Sequence, residues 1–259
     1  MIVTTAANET ISLIEKARNL SLKLGIEYCP RQGKPLKYLL ENVDLQIFVV
    51  NNMRGLSYYE RGGDETFYHP NMVFIRIVNL QKGYPDSMAA SCKLESGMSF
   101  FDGTLGLATD SLVAAYVLGE SGEITAVEKS FPIYVLVEEG LKFYAGQYPE
   151  WASLIERINI KNADNLDFMR ESKEQSYDVV YFDFMFSHPV TDSKGIQVIR
   201  SLACYDVLTA EHINEARRIA KRRVVVKTDG DGMRALLKFG FTSEKENTRR
   251  KFYYAVLEK

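Results

Sequence analysis

The sequence predicts an α/β protein built on a doubly wound, mostly parallel sheet, and two observations lead to this prediction. From about residue 98 onward, short apolar strands alternate with helical stretches five times in succession, which is the pattern of consecutive βα units. These strands, such as YDVVYFD (177–183) and RVVVK (223–227), are continuous apolar runs. Continuous runs of this kind are typical of strands that are covered on both faces.

The first ninety residues have a different pattern, which predicts a small α+β region. Gly25 is expected to end the first helix. A glycine, tyrosine, proline and aspartate at 83–86 interrupt the chain, so we place a boundary near residue 90, with domains at 1–90 and 91–259. The predicted elements are a helix at 9–24, strands at 45–50 and 56–61, an extended piece at 66–70 and a helix at 72–82.

Beyond that boundary each predicted strand is followed by a predicted helix. Two strand-like pieces, FTSEK and KFYYAVLEK, then close the chain around a polar turn and add an antiparallel strand. The polar turn contains Glu246, Asn247 and Thr248. The predicted elements are strands at 98–102, 124–128, 157–162, 177–183 and 223–227, helices at 108–118, 132–146, near 196–220 and at 232–238, and a short helix after residue 162.

Composition excludes several classes of protein. Apolar residues make up 46% and charged residues 25% of 259 residues, which is ordinary for a globular chain with a full core. Cys29, Cys92 and Cys204 lie far apart and form no C-x-x-C pair, so no metal site is expected. No signal peptide and no run of roughly 18 apolar residues is visible, so we expect a cytoplasmic protein that does not enter a membrane.

Charge is unevenly distributed although the net charge is only −2. Residues 206–259 carry 13 basic and 8 acidic side chains. Two interpretations of their densest basic run remain open, a solvated helix face and a patch that holds phosphates. The run consists of Arg217, Arg218, Lys221, Arg222, Arg223 and Lys227.

The segment FFDGTLGLATDSL predicts a ligand site where a strand turns into a helix. Asp102 ends the strand, Gly103 and Gly106 lie in the turn, and Asp110 lies in the first helical turn. Glycine lets the backbone approach a ligand closely, and the helix N-terminus presents N–H groups to it. A glycine turn alone is weak evidence, but Glu128 ends the next strand. A carboxylate at that place accepts hydrogen bonds from ribose hydroxyls.

This arrangement suits a dinucleotide or S-adenosylmethionine, and two features favour the second. Asp102 would repel a pyrophosphate but attract the ammonium of a methionine moiety; its structural alternative is a turn or helix-cap aspartate. The third glycine of G-x-G-x-x-G is also missing. Asp164, after the third strand, is a candidate acceptor for an adenine amino group and equally a candidate helix cap.

The segment VVYFDFMFSHP predicts a base-binding slot at the end of the fourth strand. Asp183 would accept hydrogen bonds from an exocyclic amine, and an aromatic ring of the following loop would stack on the base. The alternative for Met185 and Phe186 is packing beneath a loop.

Five segments follow one another in the order FDGTLGLATD, AVEKS, NADNL, VVYFDFMFSHP and KRRVVVK. In this order they resemble the class I methyltransferases of the small-subunit ribosomal RNA guanine-N2 type and a related group from Gram-positive bacteria. The resemblance runs from about residue 65 to 228. It implies a seven-stranded Rossmann-like methyltransferase sheet, S-adenosylmethionine as cofactor, RNA as partner and ribosomal RNA processing as the biological role.

The resemblance also implies roles for particular residues. Together with Asp102, Gly103 and Gly106, the cofactor-binding residues would be Thr109, Asp110, Glu128, Lys129, Asp164, Asn165 and Asp183. The catalytic slot would contain Asp183, Phe184, Met185 and Phe186. The family has proline after the aspartate, whereas this chain has Phe184, which keeps the backbone carbonyl but loses the fixed φ angle.

In the expected mechanism, Asp183 and the Phe184 carbonyl accept the N–H groups of the amine while Phe186 stacks on the base. His188 would line the rim, with an ordinary loop histidine as its alternative, and Arg222 and Arg223, within the basic run, would hold the RNA backbone. The set His69, Pro70, Asn71 and Met72 would close the cofactor site, with packing as the equal alternative.

Three other functions remain open from the sequence. A methyltransferase for a small molecule or a protein agrees with the weak overall basicity. A cofactor-binding module without catalysis agrees with the departure at Phe184. A nicotinamide-dependent enzyme has the same fold, but the acid at the end of the first strand disfavours it.

Overall fold

The computed structural model describes residues 1–41, 46–62, 64–70, 72–184, 202, 208–243 and 252–259. Within these ranges the strands form two sheets. The first sheet contains β1 (Ile2–Thr5), β2 (Glu27–Tyr28), β3 (Ile47–Asn51), β4 (Gly55–Tyr59) and β5 (Thr66–Phe67). The second contains β6 (Ser99–Asp102), β7 (Glu123–Glu128), β8 (Ile158–Asn162), β9 (Tyr177–Asp183), β10 (Ala220–Thr228), β11 (Thr242–Ser243) and β12 (Tyr253–Glu258).

The helices of the described residues cover both sheets. They are α1 (Ile11–Leu24), α2 (Leu36–Glu41), α3 (Val73–Gln81), α4 (Ser87–Ser91), α5 (Thr109–Leu118), α6 (Phe131–Gln147), α7 (Pro149–Glu156), α8 (Asn165–Glu171), α9 (Ala210–Ile219) and α10 (Gly230–Leu237).

The second sheet confirms the predicted fold class. Its strand order is β11-β12-β10-β9-β6-β7-β8. The pairs from β10 through β9, β6 and β7 to β8 are parallel, whereas β12 is antiparallel to both β10 and β11. Val179, Val180, Tyr181 and Phe182 of β9 are all fully buried. Both faces of this strand are therefore covered, as the continuous apolar run predicted.

The first sheet confirms the predicted N-terminal α+β region and adds elements to it. β1 is parallel to β2 and β3, and β3 continues into the antiparallel β4 and β5. In α1, the Thr10 hydroxyl accepts the N–H of Leu13 at 3.2 Å and caps the helix, and Gly25 ends it with φ +64°. Sequence analysis did not predict β1, β2, α2, α4 or α7.

Several predicted boundaries move in the structure. The helices predicted near 196–220 are represented among the described residues by α9, which ends at Ile219, immediately before β10 begins at Ala220. α10 begins at Gly230 rather than at 232, because the Asp229 carboxylate caps it through the N–H of Gly232 at 2.8 Å. The predicted polar turn at 246–248 lies outside the described residues.

Helix α6 lies between the two sheets and contributes to both cores. Ile133 and Val137 pack in the core of the second sheet, whereas Val135 and Leu136 pack in the core of the first. Gly140 allows α6 to pack closely against Tyr68, because a Cβ atom at Gly140 would lie 2.4 Å from the Cβ atom of Tyr68. The division of the chain at residue 90 stays a prediction.

Candidate functional site

The carboxyl ends of the parallel strands form one edge of the second sheet, and the chain order reverses there. From β6 the chain moves outward through β7 and β8, and it returns on the other side of β6 as β9. Such a reversal opens a crevice in which α/β proteins bind ligands. Asp102 ends β6 and Asp183 ends β9, so the two predicted acids border this crevice from neighbouring strands.

The connection from β6 to α5 is the tight turn that the sequence predicted. A Cβ atom on Gly103 would lie 2.2 Å from Cε1 of Phe182, so glycine is needed for the turn to pack on β9. Gly106 has φ +50°, and a Cβ atom there would meet only the Thr104 carbonyl oxygen, at 3.9 Å. Ala108 caps α5 with φ +57°, which is uncommon for a residue other than glycine. The turn thus leaves open space beside Gly106.

The Asp102 carboxylate points into this turn and is 1% exposed. It accepts the Ser111 hydroxyl at 2.6 Å and the Thr104 N–H at 3.0 Å. Burial raises the pKa of Asp102 to about 7; these two hydrogen bonds oppose the rise, and the charges of Asp110 and Asp183 add to it. Asp102 therefore shapes the turn, which was its structural alternative. Its contact with a methionine ammonium stays a prediction.

Glu128 at the end of β7 faces the same turn. Its carboxylate accepts the Gly106 N–H at 3.1 Å and the Ser130 N–H at 2.8 Å. The fold therefore brings Glu128 to hydrogen-bonding distance of the glycine turn, as the strand pattern predicted.

Asp164 and Asn165 follow β8, where α8 begins. The Asp164 carboxylate accepts the N–H groups of Leu166 at 2.9 Å and Asp167 at 3.2 Å, and it lies 3.0 Å from the Lys129 ammonium. Burial acts to raise the pKa of Asp164, but Lys129 and the two capping hydrogen bonds outweigh it and lower the pKa. The capping role of Asp164 is confirmed, and its contact with adenine stays a prediction.

Asn165 joins α8 to the glycine turn and has an unpaired acceptor. Its side-chain amide donates to the Gly103 carbonyl at 2.9 Å, and the residue is only 6% exposed. Its Oδ1 atom accepts no hydrogen bond from the described part of the chain. An unpaired buried polar group costs about 1–3 kcal/mol, so this oxygen is the kind of acceptor that an N–H group of a bound ligand satisfies.

Asp183 lies beside Lys227 of β10, to which it is paired in register. The Lys227 ammonium is 2.6 Å from the Asp183 carboxylate, and the Asp183 N–H donates to the Thr104 hydroxyl at 2.6 Å. Burial raises the pKa of Asp183 to about 6; Lys227 and Arg76 oppose the rise, and Asp110 adds to it. The Lys227 ammonium favours the ionised form of this carboxylate, which is a hydrogen-bond acceptor.

A cation that sequence analysis missed also reaches this site. Arg76 of α3 donates to both carboxylate oxygens of Asp86, at 2.8 and 2.9 Å, and to Asp110 at 2.6 Å. Asp110 follows Thr109, the first residue of α5, and it also accepts the Tyr181 hydroxyl at 2.9 Å. No local signal in the sequence marks Arg76, because its role depends on the packing of α3 against α5.

Of the predicted base-binding slot, the structure describes Asp183 and Phe184. The Phe184 ring stacks on Phe182 with a centroid distance of 5.4 Å and meets His212 edge-on at 6.1 Å. The ring thus packs against the core, so the backbone carbonyl is the part of Phe184 that remains for the predicted catalytic role. The predicted slot residues outside the described residues are Met185, Phe186 and His188.

The fold separates the two predicted RNA-binding arginines from Asp183. Arg223 lies four residues before the register partner of Asp183 on β10, about 13 Å along the strand. It is 7% exposed and lies 3.2 Å from Glu258, whereas Arg222 lies 3.3 Å from Asp178. Both arginines are therefore at the opposite edge of the sheet, and this placement does not agree with contact to the substrate of Asp183.

The residues expected to close the cofactor site differ in their exposure. His69 and Met72 are exposed, and the His69 ring meets Tyr144 of α6 edge-on at 5.9 Å. Pro70 is buried, and Asn71 lies outside the described residues. This contact agrees with the packing alternative for His69.

The described ranges contain neither a membrane-spanning helix nor a metal-binding cluster. No helix there is long and apolar enough to cross a membrane. Those ranges also contain no group of three or more histidine, cysteine, aspartate or glutamate side chains placed to hold a metal ion.

A doubly wound sheet with a glycine turn after its first strand, and with acids at the ends of adjacent strands, defines a nucleoside-binding α/β protein. Residues 71–254 match a protein family described as "Putative SAM-dependent methyltransferase". The chain belongs to this family. It is a methyltransferase, and its cofactor is S-adenosylmethionine.

Similar proteins agree with this family. The chain is 34% identical to the uncharacterized protein YpiP of Bacillus subtilis over 256 residues, which cover 99% of this chain and 98% of YpiP. It is 29% identical to ribosomal RNA small subunit methyltransferase J of Nitrosococcus oceani, over 72% of this chain and 79% of that protein. The match to the Marinobacter nauticus protein of the same name is 30% identical but covers only 48% of it.

A solved structure has the same fold. The crystal structure of a SAM-dependent methyltransferase from Neisseria gonorrhoeae aligns with a TM-score of 0.60 and 17% identity. The alignment covers 100% of this chain and 96% of that one.

The described residues fit S-adenosylmethionine. The open space beside Gly106 gives room for a ligand at the helix N-terminus. The Asn165 oxygen is an acceptor without a donor in the described chain, and Glu128 lies at the strand end where a carboxylate accepts ribose hydroxyls.

Proposed function

We propose that this protein methylates an exocyclic amine of an RNA base, with guanine N2 of small-subunit ribosomal RNA as the expected target. The activity would be cytoplasmic and a step of ribosomal RNA processing. One observation carries the proposal: the Asp183 carboxylate, paired with Lys227, ends β9 at the crevice, next to the glycine turn. The names of the methyltransferase J relatives support RNA as the substrate.

Cofactor binding is assigned to the crevice wall on the β6, β7 and β8 side. S-adenosylmethionine supplies a methyl group made electrophilic by its sulfonium. In this proposal the carboxylates bind its ribose, adenine and ammonium, the turn beside Gly106 provides room, and the N-terminus of α5 presents N–H groups. The proposed cofactor-binding residues are Asp102, Gly103, Gly106, Thr109, Asp110, Glu128, Lys129, Asp164, Asn165 and Asp183.

Asp183 and Phe184 would prepare the amine. The lone pair of an exocyclic amine is delocalised into the base, and accepting its N–H groups at the Asp183 carboxylate and the Phe184 carbonyl favours a pyramidal nitrogen. The N–C bond forms as the C–S bond breaks with its electron pair going to sulfur. The proton then leaves nitrogen for Asp183 and afterwards water. Positioning supplies much of the rate, and a base within a helix must first be flipped out.

The decisive experiment gives the purified protein methyl-labelled S-adenosylmethionine and RNA from cells that lack the protein. We expect label in one RNA base, and we expect Asp183→Ala to lower the incorporation at least tenfold. Asp231→Ala is the matched control, because Asp231 is exposed and pairs with Arg234 three residues further along the chain. Label in protein or small molecules, with RNA unlabelled, would contradict the RNA proposal.

A binding measurement separates the cofactor from the substrate. In calorimetry, Asp183→Ala and Glu128→Ala should weaken binding of S-adenosylmethionine, whereas Asp231→Ala should not. RNA binding should weaken steeply with rising salt. If cofactor binds but RNA, protein and small molecules all stay unlabelled, the chain is a binding module without catalysis. Absence of cofactor binding at millimolar concentration would defeat the whole assignment.

A further inference from the structure

The partner of Asp183 comes from the neighbouring strand and belongs to the basic run. Asp183 and Lys227 are register partners on parallel strands, so both side chains project from the same face of the sheet. Their charged atoms are 2.6 Å apart, and the side chains are only 27% and 21% exposed. The Lys227 ammonium also lies 5.2 Å from the centre of the Phe252 ring. Lys227 is therefore fixed at the crevice instead of extending into solvent.

The other charged and titratable groups around Asp183 do not replace Lys227. Arg76 is the further cation, but its guanidinium is already shared between Asp86 and Asp110. Burial acts to lower the pKa of Lys227, but the charges of Asp183 and Asp110 outweigh it and raise the pKa. Among the described residues, the charged and titratable groups that interact electrostatically with Asp183 are Lys227 from β10, Asp110 from α5, Arg76 from α3, Asp102 from β6, Tyr181 from β9 and Tyr254 from β12.

We propose that Lys227 is a positioning residue that keeps the Asp183 carboxylate ionised and fixed in orientation, ready to accept the N–H groups of the substrate amine. This role rests on the proposed function of Asp183. It assigns Lys227 to the reaction centre, whereas the sequence left it in a basic run that was either a solvated helix face or a patch that holds phosphates.

The direction of the effect follows from the charges. Without Lys227, burial and the Asp110 charge would act on the Asp183 carboxylate with only the shared Arg76 to oppose them, and its pKa would rise. A protonated carboxylic acid has an O–H donor in place of one acceptor site, so it cannot receive both an N–H hydrogen bond and the departing proton. The variant without the lysine should regain activity only where the pH is high enough to ionise Asp183.

The experiment measures Asp183 directly and activity separately. The carboxyl ¹³C signal of Asp183, assigned with Asp183→Asn, is titrated in the wild type, in Lys227→Met and in Lys227→Arg. We expect the pKa of Asp183 in Lys227→Met to be at least about one pH unit higher than in the wild type. In Lys227→Arg we expect it to be near the wild-type value. Lys142→Met is the control, because this exposed lysine of α6 pairs with Glu138 and Glu139.

The pH profile of single-turnover RNA methylation gives the second measurement. The acidic limb should move to higher pH by the same amount as the Asp183 titration. The rate at pH 7 should fall about tenfold for each pH unit that the limb moves above neutrality, and it should recover at high pH. Lys227→Arg should restore the wild-type profile. Lys227→Gln repeats the test with an uncharged hydrogen-bond donor in case Lys227→Met does not fold.

The possible outcomes are distinct. An unchanged titration of Asp183 in both uncharged variants overturns the inference, and so does a shifted titration with an unshifted pH profile. A wild type that methylates no RNA defeats the proposed function. In that case the ¹³C titration still decides whether Lys227 controls the ionisation of Asp183.

Discussion

Replacing Arg76 by methionine would remove the cation that joins α3 to the cofactor turn. Arg76, Asp86 and Asp110 have side-chain exposures of 20%, 10% and 14%, so the change leaves two poorly solvated carboxylates without their shared partner. Breaking a buried ion pair by removing one side costs about 3–5 kcal/mol. We therefore expect Arg76→Met to lower the free energy of unfolding by about that amount at pH 7.

The assay is urea unfolding followed by circular dichroism at pH 7 and at acidic pH. Burial acts to raise the pKa of Asp86, but Arg76 outweighs it and lowers the pKa. The stability that this pair contributes is complete above the unfolded-state pKa of 3.8 and is lost as the pH falls through the lower folded-state value. The difference between wild type and variant should therefore shrink below pH 3.8.

Two further variants make this prediction refutable. Arg170→Met removes an arginine whose ion pairs with Asp167 and Glu211 are exposed, and it should leave the unfolding midpoint unchanged. Adding Asp86→Asn to Arg76→Met should recover stability, because it removes one unpaired charge. The Asp86 side chain also caps α4 by accepting the Ala89 N–H at 3.1 Å, and asparagine remains a good helix cap. A loss below about 1 kcal/mol for Arg76→Met, or no recovery in the double variant, would refute the reasoning.

Three further predictions concern the turn and its neighbours. Burial raises the pKa of Asp102 from 3.8 to about 7. Its ionisation should therefore lower the free energy of unfolding by about 4 kcal/mol as the pH rises from 4 to 8. Urea titrations should show this decrease in the wild type and not in Asp102→Asn. Gly103→Ala should cost about 1–3 kcal/mol in the same assay by overpacking, and Phe182→Leu in the same chain should restore part of it. Asp164→Ala should cost about 1 kcal/mol through loss of the α8 cap, whereas Asp164→Asn should cost little.

The second sheet could be predicted because its signal is local. Strands such as β9 and β10 are buried on both faces, so each is visible as an apolar run regardless of its partners. β1 and β2 were missed because β1 has four residues and β2 only two, and because β1 is defined by its pairing with β2 and β3. Short strands of that kind have no periodicity to detect.

The candidate site was predictable to the extent that it consists of strand ends. Asp102, Glu128 and Asp183 each end a parallel strand, so topology alone brings them to one edge. Arg76 could not be found in this way, because it acts from a helix of the other region. Lys227 could have been paired with Asp183, since both residues stand near the ends of apolar runs that lie side by side in the sheet.

Because α6 has an apolar face for each sheet, neither sheet has a closed interior without it. Val135 and Val137, two positions apart, belong to different cores. The destabilisation caused by a cavity at either valine would therefore reach both cores through this helix. Such sharing favours a single cooperative unit over two foldons. Calorimetry should accordingly record one melting transition, with the van't Hoff enthalpy equal to the calorimetric enthalpy.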